Sequence, residues 1–129
     1  MNFGGWLPLH DAPTAAPNAP GLLQARSEEL TPYPKGRSAM VLYARCRPDE
    51  TLRGYVAGRG AARLDAATAA GGRWIRFCES TSPDRDFERL LGRFVDRFGT
   101  LPVANLVEDD EPPHNPVNEP AGSRGASRG

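Results

Sequence analysis

Lysine, histidine and cysteine are scarce in this sequence, and charge of neither sign predominates. Lysine occurs once, at Lys35, and sixteen basic residues balance sixteen acidic ones, so the net charge is zero. This balance excludes a chain that is basic throughout, as a nucleic-acid-binding polycation would be. The other basic residues are arginines, whose planar guanidinium suits phosphate, so a local basic face is compatible with the sequence. Codon usage rich in G and C is the alternative reason for the arginine bias.

The few cysteines and histidines, and the short apolar runs, exclude further classes of site. Cys46 and Cys78 lie in apolar runs and no secretory signal is recognisable, so we expect reduced thiols in a cytoplasmic protein. His10 and His114 have no second ligand at zinc spacing, so no zinc site is predicted. No apolar run approaches the ~20 residues of a membrane span, and no membrane partner is expected.

Both ends of the chain are rich in residues that break regular structure. Residues 1–19 contain three prolines among small residues, and residues 108–129 read "EDDEPPHNPVNEPAGSRGASRG" without apolar periodicity. Such stretches bury too little apolar surface to offset the entropy of ordering. We therefore predict a flexible N-terminal segment (1–19), one folded domain (20–107) and a disordered C-terminal tail (108–129).

The folded part divides into six elements in the order β-β-α-α-β-α. The helix at 82–99 is the best specified, because Ser82 can cap it, Pro83 suits its first position and Gly99 can end it. The order has no regular βαβ alternation, so we predict an α+β fold with a small, mostly antiparallel three-stranded sheet flanked by helices. The predicted strands are 21–26, 39–46 and 73–80, a polar turn region fills 27–38, and the other predicted helices are 48–58 and 61–72.

This order of elements, with particular residues on them, resembles the GIY-YIG nuclease superfamily. "GLL" at 21–23 stands where that family has its first motif, and "YAR" at 43–45 stands where it has its second. An arginine, Arg53, then follows on a helix, Glu88 lies on the last helix and Asn105 comes shortly after it. The resemblance covers residues 20–105 and implies a GIY-YIG-like domain, with DNA as the partner.

The resemblance also implies phosphodiester hydrolysis with Mg²⁺ or Mn²⁺ as cofactor. Glu88 would be the metal ligand, and Arg53 would hold the scissile phosphate. Tyr43 would activate the attacking water or relay its proton. The sequence departs from the family pattern at the first motif, where Leu23 replaces a tyrosine and cannot supply its hydroxyl, and at the second, where Arg45 replaces a glycine.

Further contacts with nucleic acid are expected from Arg45, Arg47 and Asn105. The main alternative to a metal-dependent endonuclease is a GIY-YIG-like module that has lost cleavage and binds nucleic acid or protein. A third interpretation is an unrelated α+β interaction domain. Structural roles remain open for the same residues: Glu88 as a solvated carboxylate beside Arg85, and Tyr43 as a core residue.

Overall fold

Residues 2–109, which the computed structural model describes, form one antiparallel sheet of four strands with helices on both of its faces. The strand order is β1-β4-β2-β3. The strands are β1 (Leu7–Pro8), β2 (Gly21–Tyr33), β3 (Gly36–Arg45) and β4 (Gly72–Glu79). The helices are α1 (Ala12–Ala15), α2 (Leu52–Ala57), α3 (Ala61–Ala69) and α4 (Pro83–Phe98), with 3₁₀ turns at Leu9–Asp11 and Val103–Leu106.

The α+β class and the antiparallel sheet confirm the prediction, but the strand count differs. Four strands are present where three were expected, because residues 7–8 pair with the outer edge of β4. The predicted tail from residue 110 onward, which includes His114, lies outside the described residues. Within residues 2–109, no helix is both long enough and apolar enough to cross a membrane.

The N-terminal segment, predicted to be flexible, contributes to the core. Leu9, Ala12 and Ala16 are all buried. Its prolines occupy positions where proline is compatible with regular structure: Pro8 lies on a short edge strand and Pro13 in the first turn of α1. Pro8 and Pro13, which suggested disorder in the sequence, therefore lie at the ends of short regular elements.

The β2–β3 hairpin is longer than predicted, since residues 27–33 continue strand β2 instead of forming a polar turn region, and residues 31–33 pair with β3. The register shifts on both sides of Arg26, which pairs with Met40, and regular pairing resumes at Thr31. Tyr33 explains why this arm stays extended: its ring contacts Phe94 of α4 edge-on at 5.0 Å, and its hydroxyl donates to the Met40 carbonyl at 2.7 Å. Tertiary contact here overrides local turn chemistry.

The two faces of the sheet have different coverings. Side chains alternate between faces along a strand, so every second residue enters the main core. The opposite face carries Tyr43 and Arg76 and is covered by α4 and by residues 3–6. The main core combines strand and helix side chains: Leu23, Ala25, Leu42, Ala44, Ile75, Leu52, Tyr55 and Val56.

Helix α4 begins and ends where the sequence predicts. Pro83 occupies its first turn, and Gly99 ends it in the left-handed region with φ of 85°. The cap differs from the expectation, because the Ser82 side chain accepts no capping hydrogen bond. Instead the Ser80 hydroxyl accepts from the Ser82 N–H at 3.0 Å and donates to Asp86 at 2.6 Å.

Candidate functional site

Tyr43 lies on β3, on the face that α4 covers. Its ring meets that of Phe94 edge-on, with 5.5 Å between the centroids. Burial raises the pKa of the Tyr43 phenol, and the nearby Arg76 offsets part of this effect. A phenol with a raised pKa is deprotonated less readily at neutral pH, which works against the water-activating role that the family resemblance implies.

Arg53 lies on the opposite side of the sheet from Tyr43. It belongs to α2, whose Leu52 packs in the core with Leu42, a strand residue that alternates with Tyr43. Its Nε donates to the Ala16 carbonyl at 3.1 Å. Arg53 thus joins α2 to the N-terminal segment, and its side chain does not meet Tyr43 around a common groove.

Glu88 is exposed on α4. Among residues 2–109, no group of three or more His, Cys, Asp or Glu side chains could hold a metal ion. The arrangement does not fit the Mg²⁺ or Mn²⁺ centre that the resemblance implies, because Arg53, which would have to hold the phosphate, lies across the sheet. Gly92, one turn after Glu88, has open space where a Cβ would stand, so close packing does not account for this glycine.

Asn105 has a structural role that its position in the sequence did not indicate. It is 7% exposed and lies beside the outer edge of β3. Its Oδ1 accepts from the Tyr43 N–H at 2.9 Å, and its Nδ2 donates to the Tyr43 carbonyl at 2.7 Å. The amide therefore pairs with both backbone groups of one residue, as a neighbouring strand would, and covers this part of an open sheet edge.

The three residues predicted to contact nucleic acid do come together, in a cleft between β3, α3 and α4. Arg45, Arg47 and Asn105 all line it, and its volume is about 340 Å³. We call this feature the arginine cleft. Its other lining residues are two arginines, one carboxylate and an apolar wall: Arg59, Arg63, Asp109, Phe87, Leu91 and Leu101.

Arg59 donates hydrogen bonds to two carboxylates at the cleft, those of Glu50 and Asp109. Its Nη2 and Nε donate to the two carboxylate oxygens of Glu50 at 2.8 and 3.2 Å, a bidentate pair. Its Nη1 donates to Asp109 at 3.0 Å. The hydrogen bonds from Arg59 lower the pKa of Glu50, so this carboxylate remains charged under mildly acidic conditions.

Arg45 and Arg47 also line the cleft. Arg45 Nε lies 3.0 Å from an Asp84 oxygen, yet this contact lacks hydrogen-bond geometry, and the buried Nε has no hydrogen-bond partner in the described part of the chain. The Arg45 guanidinium also lies over the Phe87 ring, at 5.2 Å from its centroid. Arg47 is exposed, and its backbone N–H donates to Glu50 at 2.9 Å. The Arg45 side chain is 34% exposed and is paired with the Asp84 carboxylate, so an incoming anion would compete with Asp84 for it.

Sequence reasoning missed Arg59, Arg63 and Asp109. The available signal was the pair of arginines at the start of an alanine-rich helix, with Arg59 in the turn before it and Arg63 in its first turn. Asp109 carried no signal, since it belongs to the acidic stretch "EDDE" that is typical of a solvated tail.

A second arginine arrangement, on the α4 side of the sheet, was also missed. Arg26 and Arg76 lie over the Trp6 ring, at 4.3 and 4.4 Å from its centroid. Arg76 Nε donates to the buried Gln24 at 2.8 Å, and its guanidinium also lies 4.8 Å from the Phe3 ring. These cation–π contacts hold the first residues of the chain against the sheet.

Comparison of this chain with protein-family models, with curated proteins and with solved structures found no match. The functional interpretation consequently rests on the geometry and charge of the arginine cleft. The cleft presents planar cationic donors beside an aromatic ring, an arrangement that can bind an anionic group next to a flat one.

Proposed function

We propose that this protein is a nucleic-acid-binding module, GIY-YIG-like in its order of elements, that does not cleave its ligand. The observation that carries the proposal is the convergence of Arg45, Arg47, Arg59 and Arg63 on one cleft. They come from the end of β3, the loop after it, the turn between α2 and α3, and the first turn of α3. A chain without net charge thereby concentrates donors for phosphate in one place.

The size and wall of the cleft favour a single strand over a duplex. About 340 Å³ is at the lower end of the ~300–1,000 Å³ typical of pockets for small organic ligands, so one nucleotide unit fits better than a double helix. Phe87 offers a ring beside Arg45, and bases stack on such rings without strong sequence preference. Phosphate would pair with the guanidinium groups and the base would lie against the apolar wall.

Three placements argue against cleavage. Leu23, which stands at the position of the family's first tyrosine, is 1% exposed in the main core. Arg53 lies across the sheet from Tyr43, and burial raises the pKa of the Tyr43 phenol. Phosphate binding by the arginine cleft does not require Leu23, Arg53 or Tyr43.

Binding can be tested by fluorescence anisotropy with a labelled single-stranded oligonucleotide over a series of salt concentrations. Arg45→Gln should weaken binding about tenfold and lower the slope of log K against log salt by about one, because one phosphate contact is lost. Arg37→Gln is the matched control, since Arg37 is exposed at the opposite end of β3. Equal effects of the two substitutions would contradict the assignment of the cleft.

Cleavage is tested separately, with nicked, branched and supercoiled DNA in Mg²⁺ and in Mn²⁺. We expect no strand scission by the wild-type protein. Scission that disappears in Glu88→Gln would overturn the non-catalytic part of the proposal and support the metal-dependent endonuclease instead.

A further inference from the structure

The arginine cleft already holds an anionic group, the carboxylate of Asp109. The Tyr55 hydroxyl donates to Asp109 Oδ1 at 2.6 Å, and Arg59 Nη1 donates to Oδ2 at 3.0 Å. Arg63 Nε lies 3.5 Å from Oδ1. Donors from α2, α3 and the turn between them thus converge on a single carboxylate.

This anion site is largely shielded from water. The side chains of Arg59, Arg63 and Asp109 are 11%, 18% and 16% exposed. Desolvation and the adjacent Asp109 raise the pKa of Tyr55, so its hydroxyl remains a hydrogen-bond donor at neutral pH. Charge-assisted hydrogen bonds are stronger in such surroundings than at an open surface.

Arg63 directs its polar contacts toward the end of the domain. Besides contacting Asp109, its Nε donates to the Val107 carbonyl at 2.7 Å. The segment after the 3₁₀ turn at Val103–Leu106 therefore runs beside Arg63, and Asp109 in this segment lies in the cleft. In the sequence, Asp110 and Glu111 follow immediately.

A carboxylate and a phosphate are recognised by the same guanidinium geometry. A ligand phosphate directed to Arg59 and Arg63 would occupy the position where Asp109 lies. Because Asp109 belongs to the same chain, it competes at a high effective concentration that does not change on dilution.

We propose that Tyr55, Arg59 and Arg63 form a phosphate-binding site that Asp109 occupies in the free protein, and that a phosphate-bearing ligand binds by displacing the Asp109 carboxylate. This inference rests on the proposed function and adds its regulation: affinity is limited by a competitor within the chain. Asp109 is thus an internal competitor, while the arginines and Tyr55 are the ligand-binding groups.

The test compares Asp109→Asn with Glu108→Gln in the full chain. Glu108 is the matched control because it is acidic, adjacent and exposed. Two probes are titrated: inorganic phosphate, followed through the NMR resonances of the arginine Nε–H groups, and a single-stranded oligonucleotide, followed by anisotropy. Asp109→Asn should bind both about tenfold more tightly, and Glu108→Gln should match the wild type within about twofold.

A double variant assigns the gain to the proposed site. Arg63→Gln added to Asp109→Asn should remove the increase in phosphate affinity, because the vacated donor is then missing. Unchanged phosphate affinity in Asp109→Asn, with a thermal unfolding curve like that of the wild type, would overturn the inference. Tighter phosphate binding without any oligonucleotide binding would keep this inference and overturn the nucleic-acid function.

A measurement on the wild type covers the case in which Asp109→Asn fails to fold. Phosphate at saturating concentration should shift the carboxylate ¹³C resonance of Asp109, since that group leaves its three donors. The Glu108 carboxylate serves as the internal reference. Phosphate that binds at Arg59 and Arg63 without moving the Asp109 resonance would overturn displacement.

Discussion

At the scale of single residues, the structure distinguishes polar side chains that bond the backbone of the fold from those that line the arginine cleft. Asn105 and Arg53 were both expected at a nuclease site, yet each donates to backbone carbonyls of the same chain. Arg45 forms an ion pair with Asp84 at 3.0 Å and lines the arginine cleft. The sequence places all three in an order that resembles a nuclease site. It does not show which of their donors are already bonded to other groups of the chain.

The role of Asn105 predicts a loss of stability on substitution. Asn105→Ala should lower the free energy of unfolding by about 1–3 kcal/mol, because two hydrogen bonds to the Tyr43 backbone disappear at a buried site. Urea unfolding measures the change, and amide hydrogen exchange at Tyr43 should become faster. Asn18→Ala, at an exposed position, is the control. A variant with wild-type stability but weakened oligonucleotide binding would instead make Asn105 a ligand contact.

At the scale of elements, α4 was predicted almost to the residue, since its apolar periodicity, Pro83 and Gly99 are local signals. The hairpin arm at 27–33 was not predicted, since Tyr33 is held by a helix more than sixty residues later. Local signals predict elements whose stability is local. They fail where a distant side chain determines the conformation.

Gly92 within α4 and Gly99 at its end predict opposite effects of the same substitution. Gly92→Ala should raise the free energy of unfolding by about 1 kcal/mol, because alanine favours the helix and a Cβ there meets nothing within 4 Å. Gly99→Ala should lower it, because Gly99 has a left-handed φ of 85° and a Cβ would contact Pro34 and Lys35 at 3.2 Å. Thermal unfolding of both variants tests the pair. Destabilisation by Gly92→Ala would indicate a constraint absent from the described contacts.

At the scale of the whole molecule, the N-terminal segment completes the fold. Leu9 enters the main core from outside the domain boundary that the sequence suggested. Trp6 lies against both Arg26 and Arg76 on the other side of the sheet. The segment therefore contacts both faces, and the stable unit begins well before residue 20.

This placement predicts a large effect of truncating Leu9. Leu9→Ala should lower the free energy of unfolding by about 2–5 kcal/mol, because the side chain is 7% exposed and its removal leaves a cavity. Leu30→Ala is the matched control, since Leu30 is 58% exposed, and its effect should stay within about 0.5 kcal/mol. Denaturant unfolding distinguishes the two. Similar stability of both variants would mean that the N-terminal segment does not belong to the cooperative unit.

The sequence by itself determined the order and type of the elements between residues 39 and 99, the α+β class and the absence of net charge. Those properties follow from periodicity, end signals and composition, which act within a few residues. Only the tertiary structure decided that Arg45, Arg47, Arg59 and Arg63 share one cleft with Asp109, and that Arg53 lies across the sheet from Tyr43. Strand pairing and helix packing join residues far apart in the chain, and the face on which each side chain lies depends on that pairing.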